Sequence, residues 1–386
     1  MSYKYTLYGM SHSLYSGKAR SYLIKQNADF EEVTAGAPKY HQDVVPKIGR
    51  WIIPVMVGPD QEVVQDGTSI IDWYEANGEV RQSAYPKTPR HLITSLIFEL
   101  FGGEGLLRPA MHYRWNFDDD NKQFIEGQFG LFALPGATKE ERHEIMSKAA
   151  GRMRRAAVGF GVVPETMADI EAAYLEFLDE FDLHLTTHPY LLGGQPSIGD
   201  YGLIAALFAH LGRDPYPAKL MKIRAPAVYR WTERMNAVGP DMPEFPGYPQ
   251  NLLESDSIPD TLMTLLRRVA SDYLPEIRAF IEFQNQWLSE NEVSEGDEVG
   301  GQTLVRGIGS CEFSWRGKTI SALVMPYRVF LLQRIQSAYD GLTGDDLDGV
   351  DALLEQTGLT DIMRLRSIRR VERHDNKEVW GAQTEA

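Results

Sequence analysis

The stretch Tyr85-Pro86-Lys87-Thr88-Pro89 separates two regions of different character, and that division constrains the fold more than any other feature,. Before it, short extended runs alternate with helical ones. Residues 4–8 read as a strand, Leu14 to Gln26 as a helix with an approximate apolar face of Leu14, Ala19, Tyr22 and Leu23, and Asp29-Phe30-Glu31-Glu32-Val33 as extended,. A second extended run, Trp51-Ile52-Ile53-Pro54-Val55-Met56-Val57, leads through the turn Gly58-Pro59-Asp60 to a short strand at 62–65 and a helix from Thr68 to Ala76,. Pro54 has no N–H for a sheet ladder, so it belongs at a strand's edge or start, and its peptide bond is open to the cis form.

After the division the pattern is helical, at about 90–112, 139–157, 164–187, 197–212 and 225–237,. Gly239-Pro240, Pro243, Pro246 and Pro249 form a linker. Beyond it the sequence predicts a helix over about 258–290, an acidic Gly-rich turn from Glu290 to Gly301, and a hairpin,. The hairpin pairs Cys311-Glu312-Phe313-Ser314-Trp315 with Thr319-Ile320-Ser321-Ala322-Leu323-Val324 across Arg316-Gly317-Lys318. Two further helices, near 325–340 and 346–357, are expected to close the chain.

A chain of 386 residues is expected to hold two or three domains,. It contains no run of about 18 uncharged apolar residues, so no membrane partner is expected,. The N-terminus alternates like a strand and lacks the apolar core of a secretory leader, which predicts a cytoplasmic protein,. A net charge of −15 repels a nucleic-acid backbone,. The one basic cluster, Arg364-Leu365-Arg366-Ser367-Ile368-Arg369-Arg370, reads as a solvated helix end pairing with nearby acids,. Cys311 is the single cysteine, so it forms no intramolecular disulfide, and the histidines show no ligand spacing; no metal site is expected,. Thiol chemistry, if present, comes from a ligand.

Three separated features resemble the glutathione transferase superfamily over roughly residues 4–240. Leu7 to Arg20 resembles its strand-to-helix turn carrying the thiol-activating residue. Ile53-Pro54-Val55 stands in the place of its cis-proline. Tyr190-Leu191-Leu192-Gly193-Gly194-Gln195-Pro196-Ser197-Ile198-Gly199-Asp200-Tyr201 resembles the start of its core helix, where Ser197 and Asp200 have capping-box spacing,. The resemblance implies an α/β thioredoxin-like glutathione-binding domain over 1–84 and an all-α domain over 90–240. An extra, mainly helical extension with a β-hairpin, over 250–386, has no assigned role.

The resemblance also implies a site. A glutathione thiol with a pKa near 8.5 needs a hydroxyl donor and the positive end of a helix dipole to become a thiolate. Ser13, directly before Leu14, takes the position where zeta-like and theta-like members carry Ser; Tyr8, at the end of the first strand, is the alternative donor used by alpha-like and mu-like members. His12 reads as a solvated turn residue. The main chain of Ile53, exposed by Pro54, pairs with the cysteinyl unit like an added strand. Thr68 falls on the family's Ser position for the γ-glutamyl carboxylate. Gly67 stands where the family's acid usually does, which passes the ammonium contact to Asp66. Arg50 and Lys47 are the candidates for the glycyl carboxylate. Phe98, Phe101, Leu106, Met111, Tyr113 and Trp115 read either as core or as lining for a second substrate.

With Ser in place of Cys, mixed-disulfide chemistry is disfavoured. The expected activity is a glutathione transferase in which glutathione is co-substrate and its thiolate attacks a small hydrophobic electrophile. The alternatives are a glutathione-dependent lyase or isomerase, and a non-enzymatic binding or scaffold protein that kept the fold. A homodimer is expected by resemblance.

Overall fold

The computed structural model describes residues 3–134, 136–300 and 306–384; Gly301, the end of the expected acidic turn, lies outside them. Side-chain alternation along the first strand, β1 (Tyr5–Gly9), builds the N-terminal sheet,. Tyr5 and Leu7 enter one hydrophobic cluster, while Tyr8 enters another. β2 (Phe30–Thr34) pairs parallel to β1; β3 (Val55–Val57) pairs antiparallel on its other side, and β4 (Val63–Gln65) forms the edge. Two helices, α1 (Leu14–Lys25) and, after β4, α3 (Gly67–Asn77), bury Ala19, Tyr22, Leu23, Ile70, Ile71 and Tyr74 with Tyr5 and Leu7. A π-helical turn (Tyr40–Val44) and α2 (Val45–Ile48) cover Tyr8 and Val55. The Ile53–Pro54 bond is cis, as the sequence allows. The expected extended run from Trp51 shrinks to β3, because the residues through Ile53 form the approach to the cis-proline.

The helical region comprises α4 (Pro89–Leu100), a π-helical turn (Phe101–Gly105), α5 (Leu107–Trp115), α6 (Asp118–Ala133), α7 (Lys139–Val158), α8 (Pro164–Leu185), α9 (Ile198–Ala209), α10 (Pro215–Arg224) and α11 (Pro226–Met235). The helix expected over 90–112 is therefore interrupted at Gly102-Gly103. A Cβ at Gly102 would lie 2.4 Å from the backbone of Gly202, and one at Gly202 would lie 2.4 Å from Glu99, so glycines allow α4 and α9 to cross closely. The sequence reading missed α6 and α10; α6 opens on three aspartates and buries only Asn121, Ile125 and Gly130, leaving little apolar periodicity to detect,.

Asp200 accepts from the Ser197 N–H (2.9 Å) and hydroxyl (3.0 Å), from the Leu191 N–H (3.1 Å) and from the Trp231 indole (3.2 Å). The acid-to-N-cap contact of the expected capping box is thus present at the start of α9.

The extension contains α12 (Asp260–Asp272), α13 (Leu274–Glu290), a hairpin of β5 (Gly309–Trp315) and β6 (Lys318–Val324), α14 (Tyr327–Asp340), α15 (Gly344–Thr357), α16 (Asp361–Arg364), and a second hairpin of β7 (Arg369–His374) and β8 (Lys377–Gln383). Three expectations are corrected here. The single helix over 258–290 breaks at Tyr273, ahead of Pro275 at the start of α13, where the ring excludes the preceding turn,. The chain closes on a second hairpin rather than on helices. The basic cluster is only partly a helix end: Arg366 pairs with Asp340, but Arg369 and Arg370 enter β7. One hydrophobic cluster runs from Tyr5 through the helical region to Tyr327, Val371 and Trp380, so the extension shares the core. Among the described residues no helix is long and apolar enough to cross a membrane.

Candidate functional site

Three segments meet at one end of the N-terminal sheet. Tyr8 lies opposite Val55, and Val55 opposite Gln65, which brings the end of β1, the cis-proline before β3 and the end of β4 together. The Asp66 N–H donates to the Pro54 carbonyl (3.1 Å). The first turn of α1 abuts the start of α3, where a Cβ on Gly67 would lie 3.1 Å from the Tyr15 carbonyl. Glycine at this position permits that close approach.

Ser13 is the N-cap of α1, half-buried, with extended backbone angles, and its hydroxyl accepts at 3.4 Å from the Ser16 N–H,. It therefore stands at a helix N-terminus whose partial positive charge favours an anion. The main-chain N–H and C=O of Ile53 have no hydrogen-bond partner among the described residues. The alternative donor Tyr8 enters the hydrophobic cluster of Tyr40, Val44 and Val55. Its ring packs 5.1 Å from that of Tyr40, and it lines an open cavity of about 570 Å³ with Asp43, Lys47 and Gln61, a set that excludes Ser13, Pro54 and Asp66. Burial, with Asp43 and Glu31 nearby, pushes the Tyr8 hydroxyl above its ordinary pKa. Lys47 shares that cavity, and Arg50 does not line it.

His12 differs from the sequence reading. It is 5% exposed, its ring lies 4.3 Å from Phe129 and 5.3 Å from Phe132, and neither ring nitrogen has a partner among the described residues. Burial, reinforced by Arg114, lowers its pKa to about 3,. Phe129 and Phe132 lie on α6, the helix that the sequence reading missed, which is why the burial went unseen. Arg114 fixes this turn: its guanidinium donates to the His12 carbonyl (2.7 Å) and grips Asp214 bidentately (2.6 and 2.9 Å),.

Asp66 caps α3, accepting from the Thr68 and Ser69 N–H groups (2.9 and 3.3 Å), at a φ of 95° that non-glycine residues rarely adopt,. The Thr68 hydroxyl accepts from Lys18 (2.7 Å) and donates to Glu99 (3.0 Å). Its hydroxyl and N–H are both engaged inside the protein, so the direct carboxylate contact implied by resemblance has no free Thr68 donor in this arrangement.

The extension reaches this end of the sheet, which nothing in the sequence reading anticipated. The Tyr327 hydroxyl lies 3.0 and 2.9 Å from the Asp66 oxygens. At the turn between β7 and β8, the Asn376 amide accepts from the Gln65 N–H (2.8 Å) and donates to the Val63 carbonyl (3.1 Å), pairing with the outer edge of β4 as a strand would,. Arg373 donates to the Gln65 carbonyl (3.0 Å) and side chain (2.7 Å). Arg50 reaches the Asn376 carbonyl (3.1 Å) and Glu378 (3.5 Å). Burial works to raise the Asp66 pKa, but Arg373, Lys18, Arg306 and the Tyr327 hydrogen bond outweigh it and hold the carboxyl below its ordinary range.

On the helical side, the Tyr15 hydroxyl donates to Glu104 (3.0 Å), whose other oxygen accepts from Arg328 (3.0 Å); Arg328 and Arg108 both bind Glu276. Burial pushes the Glu104 pKa up despite Arg328, and holds the Tyr15 hydroxyl protonated. Glu104 sits in the π-helical turn, a feature frequent at functional sites,. The aromatic candidates from Phe98 to Trp115 are all buried in the core; Phe101 and Leu106 border a cavity of only about 30 Å³ with Arg108 and Trp315. Burial raises the Cys311 thiol to about 12, which leaves it unreactive,.

Residues 164–234, spanning α8 to α11, match the family model described as the C-terminal domain of glutathione S-transferase. Over these residues the helical region is similar to that family. A mixed thioredoxin-like sheet precedes this helical region, and added helices and two hairpins follow it. Similar solved structures include a beta-etherase from Sphingobium sp. strain SYK-6, at 20% identity and a TM-score of 0.43, covering 61% of this chain and 95% of that one. A glutathione S-transferase from Xanthobacter autotrophicus Py2 is 22% identical with a TM-score of 0.34, covering 65% of this chain and 97% of that one. No curated protein sequence matches the chain.

Proposed function

We propose that this chain is a glutathione-dependent enzyme in which Ser13 stabilises the glutathione thiolate for attack on a small hydrophobic electrophile. The observation that carries the reading is the pairing of Ser13, at the open N-terminus of α1, with the cis Ile53–Pro54 bond and the unpaired main chain of Ile53 at the same end of the sheet. An extended thiol peptide pairing with Ile53 would bring its sulfur toward the Ser13 hydroxyl and the helix dipole. Asp66 and Thr68 frame the far end of the site, and Arg50 supplies a fork for a carboxylate.

Transfer to an electrophile is the reaction we favour. A lyase or isomerase would use the same thiolate. The cytoplasmic location and homodimeric assembly belong to the same reading, by resemblance. A second reading, a non-enzymatic binding protein, is favoured by one observation: Tyr327, Arg373 and Asn376 take up groups of Asp66 and Gln65 that a ligand would otherwise meet.

Retention on immobilised glutathione, followed by calorimetric titration, tests the proposal. Binding together with turnover of an electrophile panel supports transfer, and glutathione-dependent elimination or isomerisation without conjugation supports the lyase or isomerase form. Absence of binding up to millimolar glutathione leaves only the binding-protein reading.

A further inference from the structure

Between α6, α10 and α11 lies an open cavity of about 570 Å³ whose charged lining residues are all basic: Arg213, in the turn before α10, and Lys219 and Lys222 on α10 itself. No acidic residue borders it, in a chain whose net charge is −15. Arg213 is half-buried, and the two lysines are exposed at the mouth. The neighbouring Arg224 is paired with Asp179 (2.7 Å), whereas Lys219 and Lys222 have no ion-pair partner among the described residues. Three like charges around one cavity repel one another and raise the local concentration of anions.

Arg213 is short of counter-charge. Arg114 holds Asp214 (2.6 and 2.9 Å) and Arg20 holds Glu32 (2.5 Å twice), so both nearby acids are taken. Arg213 is left with the neutral Gln128, to which its Nη2 donates (2.8 Å), and its buried Nη1 has no partner among the described residues. Burial, with Arg20 and Arg114 nearby, lowers its pKa,. The aromatic residues of the cavity are engaged with these cations. The Arg213 guanidinium lies 5.8 Å from the centre of the Phe124 ring and 5.9 Å from that of Phe208, and the Lys222 ammonium lies 4.7 Å from that of Tyr229,. The rings thus orient positive charge rather than offer an apolar ligand a face.

We infer that this cavity is a binding site for a phosphate group, with Lys219 and Lys222 making the direct contacts and Arg213 supplying fixed positive charge behind them. Each ammonium is a compact point charge with three rotatable donors, which suits the tetrahedral oxygens of phosphate. A carboxylate fits less well, because the planar Arg213 fork is committed on one side to Gln128 and does not grip two ligand oxygens,. A dianion also offsets more of the three charges than a single carboxylate does. The cavity shares no lining residue with the Ser13 and Pro54 site, so the inference stands apart from the thiol reading.

The test is calorimetric titration of the full chain with inorganic phosphate, with glycerol 2-phosphate and with acetate, at constant ionic strength and slightly above neutral pH, where phosphate is mainly dianionic. The comparison protein carries Lys219→Gln together with Lys222→Gln; both side chains are exposed, so the fold is expected to persist, which its melting temperature checks. The native chain is expected to bind phosphate in preference to acetate, and the double variant to bind phosphate about tenfold or more weakly. Tighter binding of the ester than of inorganic phosphate identifies an organic phosphate as the ligand; otherwise free phosphate is the ligand. Should the double variant fail to fold, Lys222→Gln alone reads the same loss. No phosphate binding by the native chain up to tens of millimolar, binding no tighter than that of acetate, or an unchanged affinity in the variant overturns the inference.

Discussion

The Tyr327 hydroxyl, from the extension, lies within 3.0 Å of both carboxylate oxygens of Asp66, the N-cap of α3. A residue far along the chain thus completes the hydrogen bonding of a buried carboxylate at the candidate site. Tyr327→Phe removes the donor and keeps the ring beneath Arg306, and the Thr68 and Ser69 N–H groups still serve Asp66. We predict a loss of about 1–2 kcal/mol in stability, measured by urea unfolding with an unchanged m-value. A loss below a few tenths would mean that the contact contributes little.

Asp66 and Glu378 make the site acid-sensitive. Burial opposes ionisation of both, but nearby cations prevail and each carboxyl sits below its ordinary range, Glu378 through Arg306, Arg373 and Arg50. A depressed folded pKa means that the unfolded chain binds more protons. The stabilisation is therefore present above the ordinary carboxyl range of about 4 and is lost as pH falls through the folded values. Glu378→Gln is expected to flatten the fall in melting temperature below pH 4, and an unchanged slope would contradict the assignment.

His12 predicts a second pH dependence, in a higher window. Its folded pKa of about 3 lies below the ordinary histidine value, so it stays neutral in the fold while the unfolded chain takes up a proton below about 6.5,. Stability from this group is complete above that value and declines as pH falls toward 3. His12→Phe, which fits the pocket of Phe129 and Phe132, should reduce the proton uptake on unfolding at pH 5 by about one proton,. Unfolding titrations between pH 4 and 7 measure it.

Arg114 is a positioning residue for the same turn. Arg114→Ala leaves Asp214 buried without its partner and frees the His12 carbonyl, so a loss of about 3–5 kcal/mol is expected,. Arg114→Lys retains the charge without the fork; it should recover part of the stability while still lowering kcat, because the Ser13 turn is no longer held. Equal kcat in Arg114→Lys and the native chain would argue against positioning.

The sequence disclosed what local chemistry dictates. The proline in the apolar run announced the cis bond, Ser13 before Leu14 announced a helix start, and Ser197 with Asp200 announced the cap of α9. Packing between distant segments was hidden. His12 looks solvated until α6 is known, and α6 has little periodicity. The β7–β8 hairpin left a readable trace in its Asp375-Asn376 turn, where both residues have positive φ, a conformation that Asp and Asn tolerate,. Nothing local tells that Asn376 meets β4, or that Arg306 and Tyr327 face Asp66. The Asn376 and Tyr327 contacts join residues more than 250 positions apart.

The central claim is that Ser13 lowers the pKa of a bound glutathione thiol, and the ultraviolet thiolate band of the bound ligand, followed across pH in the native chain and in Ser13→Ala, tests it most directly. The account predicts binding by both forms, with a thiol pKa well below the free value of about 8.5 in the native chain and a return toward it in the variant. An unshifted thiol in the native protein, or the same lowered value in Ser13→Ala, would contradict it.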